Sequence, residues 1–188
     1  MTSSSRHTTY VRRPTVSVIG GQTEDEPILA VACALGTGLI DSGFRLATGG
    51  LGGVMAAASR GGRESGRWTD GSVVGVLPGL DARAANPFVD LVIPSGLNFA
   101  RNSLLVAMAD VVIAVGGGAG TLSEIALAWQ HQKPVIALDT GSGWSTRLAG
   151  SSLDHRRQDV VHRATDVEMA VALALELHGT RGDHQHGF

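Results

Sequence analysis

Three glycine-rich turns, each directly behind a short β-branched run, constrain this chain more than any other feature. Gly20-Gly21 follows the run Thr15–Ile19. Gly49-Gly50-Leu51-Gly52-Gly53 comes just after Phe44–Ala47. Gly116-Gly117-Gly118-Ala119-Gly120-Thr121 follows Val111–Val115. The runs are continuously apolar rather than alternating, the pattern of strands covered on both faces. Others of the same kind lie at Val73–Leu77, Leu91–Ile93 and Val135–Leu138, with a weaker one at Val160–His162.

Helical stretches fill the gaps. Between Glu24 and Ser42, Ile28, Val31, Ala32, Leu35 and Leu39 form an apolar stripe. Asp25-Glu26-Pro27 opens that helix with acidic charge and a first-turn proline, and Gly43 stops it. Further helices are expected over Val54–Arg63, Phe99–Ala109, Thr121–Gln132 and Val167–His178. Strict alternation of this kind predicts an α/β fold, a doubly wound parallel sheet of about 6–7 strands flanked by helices, Rossmann-like. Residues 14–178 read as one domain, with polar tails at 1–13 and 179–188.

Composition narrows the function. A chain of 188 residues with net charge −2 offers no general field for nucleic acid, so no nucleic-acid partner is expected. No apolar run reaches membrane-spanning length, and the Ser/Thr/Arg-rich start is not a secretory signal. The lone Cys33, mid-helix among apolar residues, reads as a buried small hydrophobe and fits a reducing compartment, so a cytoplasmic protein is expected. Lys133 is the only lysine, and it precedes Pro134 at the start of a strand. That is a poor place for a Schiff base or a phosphate-loop lysine. No metal site and no required cofactor are expected; the histidines of His184-Gln185-His186 are read as tail.

In a sheet of this kind, ligands bind where strands end and helices begin. Bare amides at glycine turns, with the positive end of the following helix, hold anions there. Gly20, Gly21, Gly49, Gly50, Gly52, Gly53, Gly117, Gly118, Gly120 and Thr121 are therefore the expected phosphate contacts. No G-x-G-x-x-G follows the first strand, and no phosphate loop or nucleophile elbow is present. Thr121 and Glu124 have capping-box spacing, with Thr121 as N-cap and Glu124 at N3. Glu124 also suits a general base or a ribose contact. Arg101 would offset phosphate charge with its planar fork.

The stretch Gly116 to Glu124, G-G-G-A-G-T-L-S-E, resembles the P-G-G-x-G-T-x-x-E signature of the LONELY GUY (LOG) phosphoribohydrolases, once labelled "lysine decarboxylase-like". Arg101 matches the arginine upstream of that motif, and Thr48 to Met55 resembles the second glycine motif. The resemblance runs from about Thr15 to Leu177. Gly116 replaces the motif's proline, and Asn102 stands where LOG enzymes usually carry lysine. Ala85 to Val89 and the loop Thr140 to Leu148 are more similar to molybdenum-cofactor carrier proteins. That branch implies a phosphorylated pterin, the molybdenum cofactor, held without chemistry at this edge, where Arg101, Asn102 and the glycine turns are the expected contacts. Trp144 and Arg147 are placed to flank a ring, with Trp144 reading equally as a packed loop anchor. The LOG branch implies hydrolysis of a nucleoside 5′-monophosphate, with Glu124 and Arg101 catalytic. Both imply a small phosphorylated ligand and a homodimer or homotetramer, for which Leu104, Leu105, Met108 and Trp129 are apolar enough, although packing on the sheet accounts for most of them.

Overall fold

The computed structural model describes residues 12–23 and 25–179. Its seven strands are β1 (Thr15–Gly20), β2 (Arg45–Thr48), β3 (Val73–Leu77), β4 (Leu91–Pro94), β5 (Val111–Val115), β6 (Val135–Leu138) and β7 (His162–Ala164). All pairs are parallel, in the order β4-β3-β2-β1-β5-β6-β7. The helices are α1 (Glu26–Asp41), α2 (Val54–Glu64), α3 (Arg101–Ala107), α4 (Ala119–Gln130), α5 (Gly143–Leu148) and α6 (Val167–Gly179). Short 3-10 turns occur at Ala82–Ala84 and Asn98–Ala100.

Strand side chains alternate between two cores. Val16, Val18, Val111, Ile113 and Val115 face α1, α2 and α6 in one core. Ile19, Val112 and Ala114 face Leu105, Ile125 and Trp129 of α3 and α4 in the other. Both sides being covered is why the strands read as unbroken apolar runs. Each fully buried Val, Leu or Ile contributes roughly 1.5–3 kcal/mol.

Helix α1 leaves β1 toward one face, and α4 leaves β5 toward the other. Since β1 and β5 are neighbours, a crevice opens between their carboxyl ends, the topological switch point of the sheet. The site lies there.

Several element boundaries differ from the sequence expectation. The weak strand lies at His162–Ala164, not Val160–His162, because the Val161 amide is turned to the Ser151 carbonyl and its carbonyl accepts from Gly150. The helix expected from Phe99 starts at Arg101, because Asn98 takes a left-handed φ of 50° and closes a separate turn first. The loop Thr140 to Leu148 contains the short helix α5. Cys33 is half-buried, not fully buried. Most of the expected tail residues lie outside the described ones, as do His184 and His186. Within the described part, Arg12 pairs with Asp110, and Arg13 donates to Ser72 and to the Gly43 carbonyl. No helix among the described residues is long and apolar enough to cross a membrane.

Candidate functional site

A cavity of about 730 Å³ occupies the switch point, within the range typical of small-molecule sites. Gly20, Gly21, Gly49, Arg101, Asn102, Gly118, Gly120, Thr121 and Glu124 all line it. The other expected contacts do different work. Gly50 (φ 74°) and Gly53 (φ 62°) turn the chain between β2 and α2, and the Val54 amide donates to the Gly21 carbonyl at 3.1 Å. Gly52 is exposed, with nothing within 4 Å of where a Cβ would stand. Gly117 lines a neighbouring cavity of about 290 Å³ that shares Gly21, Gln22 and Gly118 with the larger one.

The capping box does not form. Helix α4 starts at Ala119 with Gly118 as N-cap and no side-chain cap. Gly116 and Gly117 both take positive φ, 57° and 90°, which begins the helix two residues earlier than the threonine. Thr121 is thereby inside the first turn, and its side chain folds back into the space a Gly117 side chain would need, 2.2 Å from the would-be Cβ. The Glu124 carboxylate is one turn further in and is bonded by Arg101, not turned back to cap the helix start.

Arg101 Nη1 donates to Glu124 Oε1 at 3.3 Å, and both side chains are nearly out of solvent, 12% and 7% exposed. Burial pushes the Glu124 carboxyl up to about 7, with Arg101 opposing the rise. Burial also lowers the Arg101 guanidinium. Asn102 is buried and donates from Nδ2 to Ser123 Oγ at 3.1 Å, tying the start of α3 to α4. The pair thus sits on a fixed floor beside the open amides of the α4 start, where a helix dipole favours negative charge.

The remaining wall is apolar and was not anticipated from sequence: Val18, Ile19, Leu51, Met55, Leu105 and Pro78, with Gln22, Asn98 and Phe99 at its edge. Pro78 directly follows β3, so the strand-end rule applied beyond the glycine clusters would have found it. Trp144 and Arg147 are not in the cavity. They pack on each other, the guanidinium 5.1 Å from the ring centroid, and Trp144 rests on the second core. Leu105 and Trp129 are core, and Met108 packs against it, whereas Leu104 is 43% exposed. Lys133 Nζ donates to the Ala109 carbonyl at 2.6 Å.

The charge arrangement fixes a pH dependence. The folded carboxyl titrates near 7 and an ordinary one at 4.5. Across that window the folded chain keeps a proton that the unfolded chain has released. Stability contributed by Glu124 therefore falls as pH rises from 4.5 to about 7 and is level above. Melting temperatures of wild type and Glu124→Gln, followed over that window, are expected to differ in slope, with the Gln variant flatter. Parallel slopes would refute the raised carboxyl.

The SLOG cluster4 family model matches residues 13–171. The chain belongs to this family. Among solved structures, the molybdenum cofactor carrier protein of Chlamydomonas reinhardtii is 36% identical with a TM-score of 0.77, covering 89% of this chain and 99% of that one. The molybdenum cofactor binding protein of Rippkaea orientalis is 34% identical, also at 0.77, with the same coverage. The cytokinin riboside 5′-monophosphate phosphoribohydrolase of Mycobacterium tuberculosis is 30% identical over 125 residues, 60% of this chain and 63% of that protein. The LOG-like Rossmann assignment made from Gly116 to Glu124 therefore holds.

Proposed function

We propose that the protein binds and carries a small phosphorylated ligand of the molybdenum-cofactor class. One observation carries this reading: the switch-point cavity joins a buried Arg101–Glu124 pair and a bare helix start to an apolar wall. Such a cavity suits a ligand with an anionic end and a flat apolar end. The phosphate lies over the amides of Gly118 and Gly120, held by Arg101, and the ring system lies toward Leu51, Met55 and Pro78. Similarity to carrier proteins over 99% of their length supports carriage rather than turnover. Self-association into a homodimer or homotetramer through α3, where Leu104 is exposed, belongs to the same reading.

Glu124 favours a second reading. A carboxyl titrating near 7 inside a cavity is matched to proton transfer at neutral pH. In this reading Glu124 stabilises the oxocarbenium-like transition state or activates water, and the N-glycosidic bond of a nucleoside 5′-monophosphate is cleaved to free base and ribose 5-phosphate.

The two are separated by incubating the protein with a panel of nucleoside 5′-monophosphates, N6-substituted adenosine forms included, and looking for free base. The carrier reading expects none, together with retention of a fluorescent oxidised pterin phosphate. Base release that disappears in Glu124→Gln would overturn it in favour of the hydrolase.

A further inference from the structure

Phe99 is the one aromatic among the described residues that line the cavity, and it is 89% exposed. A phenyl ring left in water forgoes the stabilisation of burial. The loop that leads to it is nevertheless hydrogen-bonded to the end of β3 and the residues after it. Ser95, Gly96 and Asn98 donate their amides to the carbonyls of Leu77, Gly79 and Pro78, at 3.2, 3.1 and 2.9 Å. Asn98 turns the chain with φ 50°, a conformation asparagine tolerates better than most residues. The 3-10 turn Asn98–Ala100 then runs directly into Arg101. The turn thus places an exposed Phe99 in the lining of the cavity, two residues along the chain from Arg101.

Resting on the ligand class proposed above, we infer that Phe99 is the stacking platform for the ligand's flat nitrogen heterocycle, so that the site selects phosphates carrying such a ring over ringless ones. An aromatic face stacks on any planar base with little regard for its hydrogen-bonding edge. Phe99 therefore sets the ring requirement, while Arg101 and the amides of Gly118 and Gly120 set the phosphate requirement. Adenine and pterin phosphates share this chemistry.

The test is calorimetric titration of wild type, Phe99→Leu and Phe99→Trp with adenosine 5′-monophosphate, 6-hydroxymethylpterin phosphate and ribose 5-phosphate. Phe99→Leu is expected to weaken the ringed ligands about tenfold or more and to leave ribose 5-phosphate unchanged. Phe99→Trp should keep their affinity, and its new emission should be quenched by them. Whichever ringed ligand loses more in Phe99→Leu identifies the source of the heterocycle. Equal loss for ringed and ringless ligands, or no loss at all, overturns the platform while leaving the phosphate site standing. Loss of self-association in Phe99→Leu with unchanged ligand affinity also overturns it, giving the ring to a second copy of the chain. Failure of wild type to bind any of the three removes the proposed function, and the platform with it.

Discussion

Arg101→Ala is expected to weaken binding of ribose 5-phosphate and of ringed phosphates about a hundredfold. Arg101 is the cation among the described residues lining the cavity. A bidentate guanidinium–phosphate contact supplies two charge-assisted bonds, each contributing about 1.5–3 kcal/mol, and about 2.8 kcal/mol is a hundredfold in affinity. Arg101→Lys should recover only part of the loss, since an ammonium gives charge without the planar fork. Gly49→Ala isolates position from charge. A Cβ there would stand 2.6 and 2.7 Å from the two terminal nitrogens of Arg101 and 2.6 Å from Met55 Sδ. Gly49 has no positive φ, so its backbone accepts alanine; the flexible guanidinium must yield. An affinity loss in Gly49→Ala with an unchanged melting temperature is the expected signature, read by calorimetry and circular dichroism. Wild-type affinity in Arg101→Ala would take Arg101 out of the anion site and leave the phosphate to the amides of Gly118 and Gly120.

The sheet was readable because its physics is local. A strand buried on both faces must be apolar at successive positions, and β1, β3 and β5 are so along most of their length. The glycine turns marked where those strands end, so the carboxyl edge was found along with the fold. What escaped depended on backbone dihedrals and on chain closure. The Thr121–Glu124 spacing is correct for a capping box, but the positive φ of Gly116 and Gly117 starts α4 early and frees Glu124 for Arg101. Helix α5 has six residues, too few for any periodicity. Pro78 and Phe99 come from the loops after β3 and β4 and share the cavity with the α4 start only because the chain must return from β4, at the sheet's edge, to β5 beside β1. Glycine's two uses also look alike in sequence: Gly50 and Gly53 shape a turn, whereas Gly49 makes room for a side chain.

A third use of glycine supports the largest expected stability effect. Helices α1 and α2 touch backbone to backbone. A Cβ on Gly61 would lie 1.8 Å from the Cys33 carbonyl oxygen, and one on Gly36 would lie 2.0 Å from that of Ala58. Thr37 Oγ1 closes the same contact by donating to the Gly61 carbonyl at 2.9 Å. On helix propensity alone, Gly61→Ala would gain about 1 kcal/mol. Overpacking typically costs about 1–3 kcal/mol, occasionally more, and a clash at 1.8 Å with backbone that no rotamer change relieves belongs at the top of that range. The clash wins. Gly61→Ala is expected to lose at least about 2 kcal/mol, a fall in melting temperature of about 4–8 °C for a chain of this size, and the double variant with Gly36→Ala should lose still more. Gly66→Ala, with open space around it, serves as the control and should be neutral or slightly stabilising. The effect should reach the ligand too. Gly21 and Gln22 lead into α1, and Met55 lies on α2, so prising the two helices apart shifts these lining residues against each other. Folded Gly61→Ala at low temperature should therefore bind phosphates more weakly than Gly66→Ala; equal affinity and equal melting temperature in the two would show that the helices have room to part without disturbing the crevice.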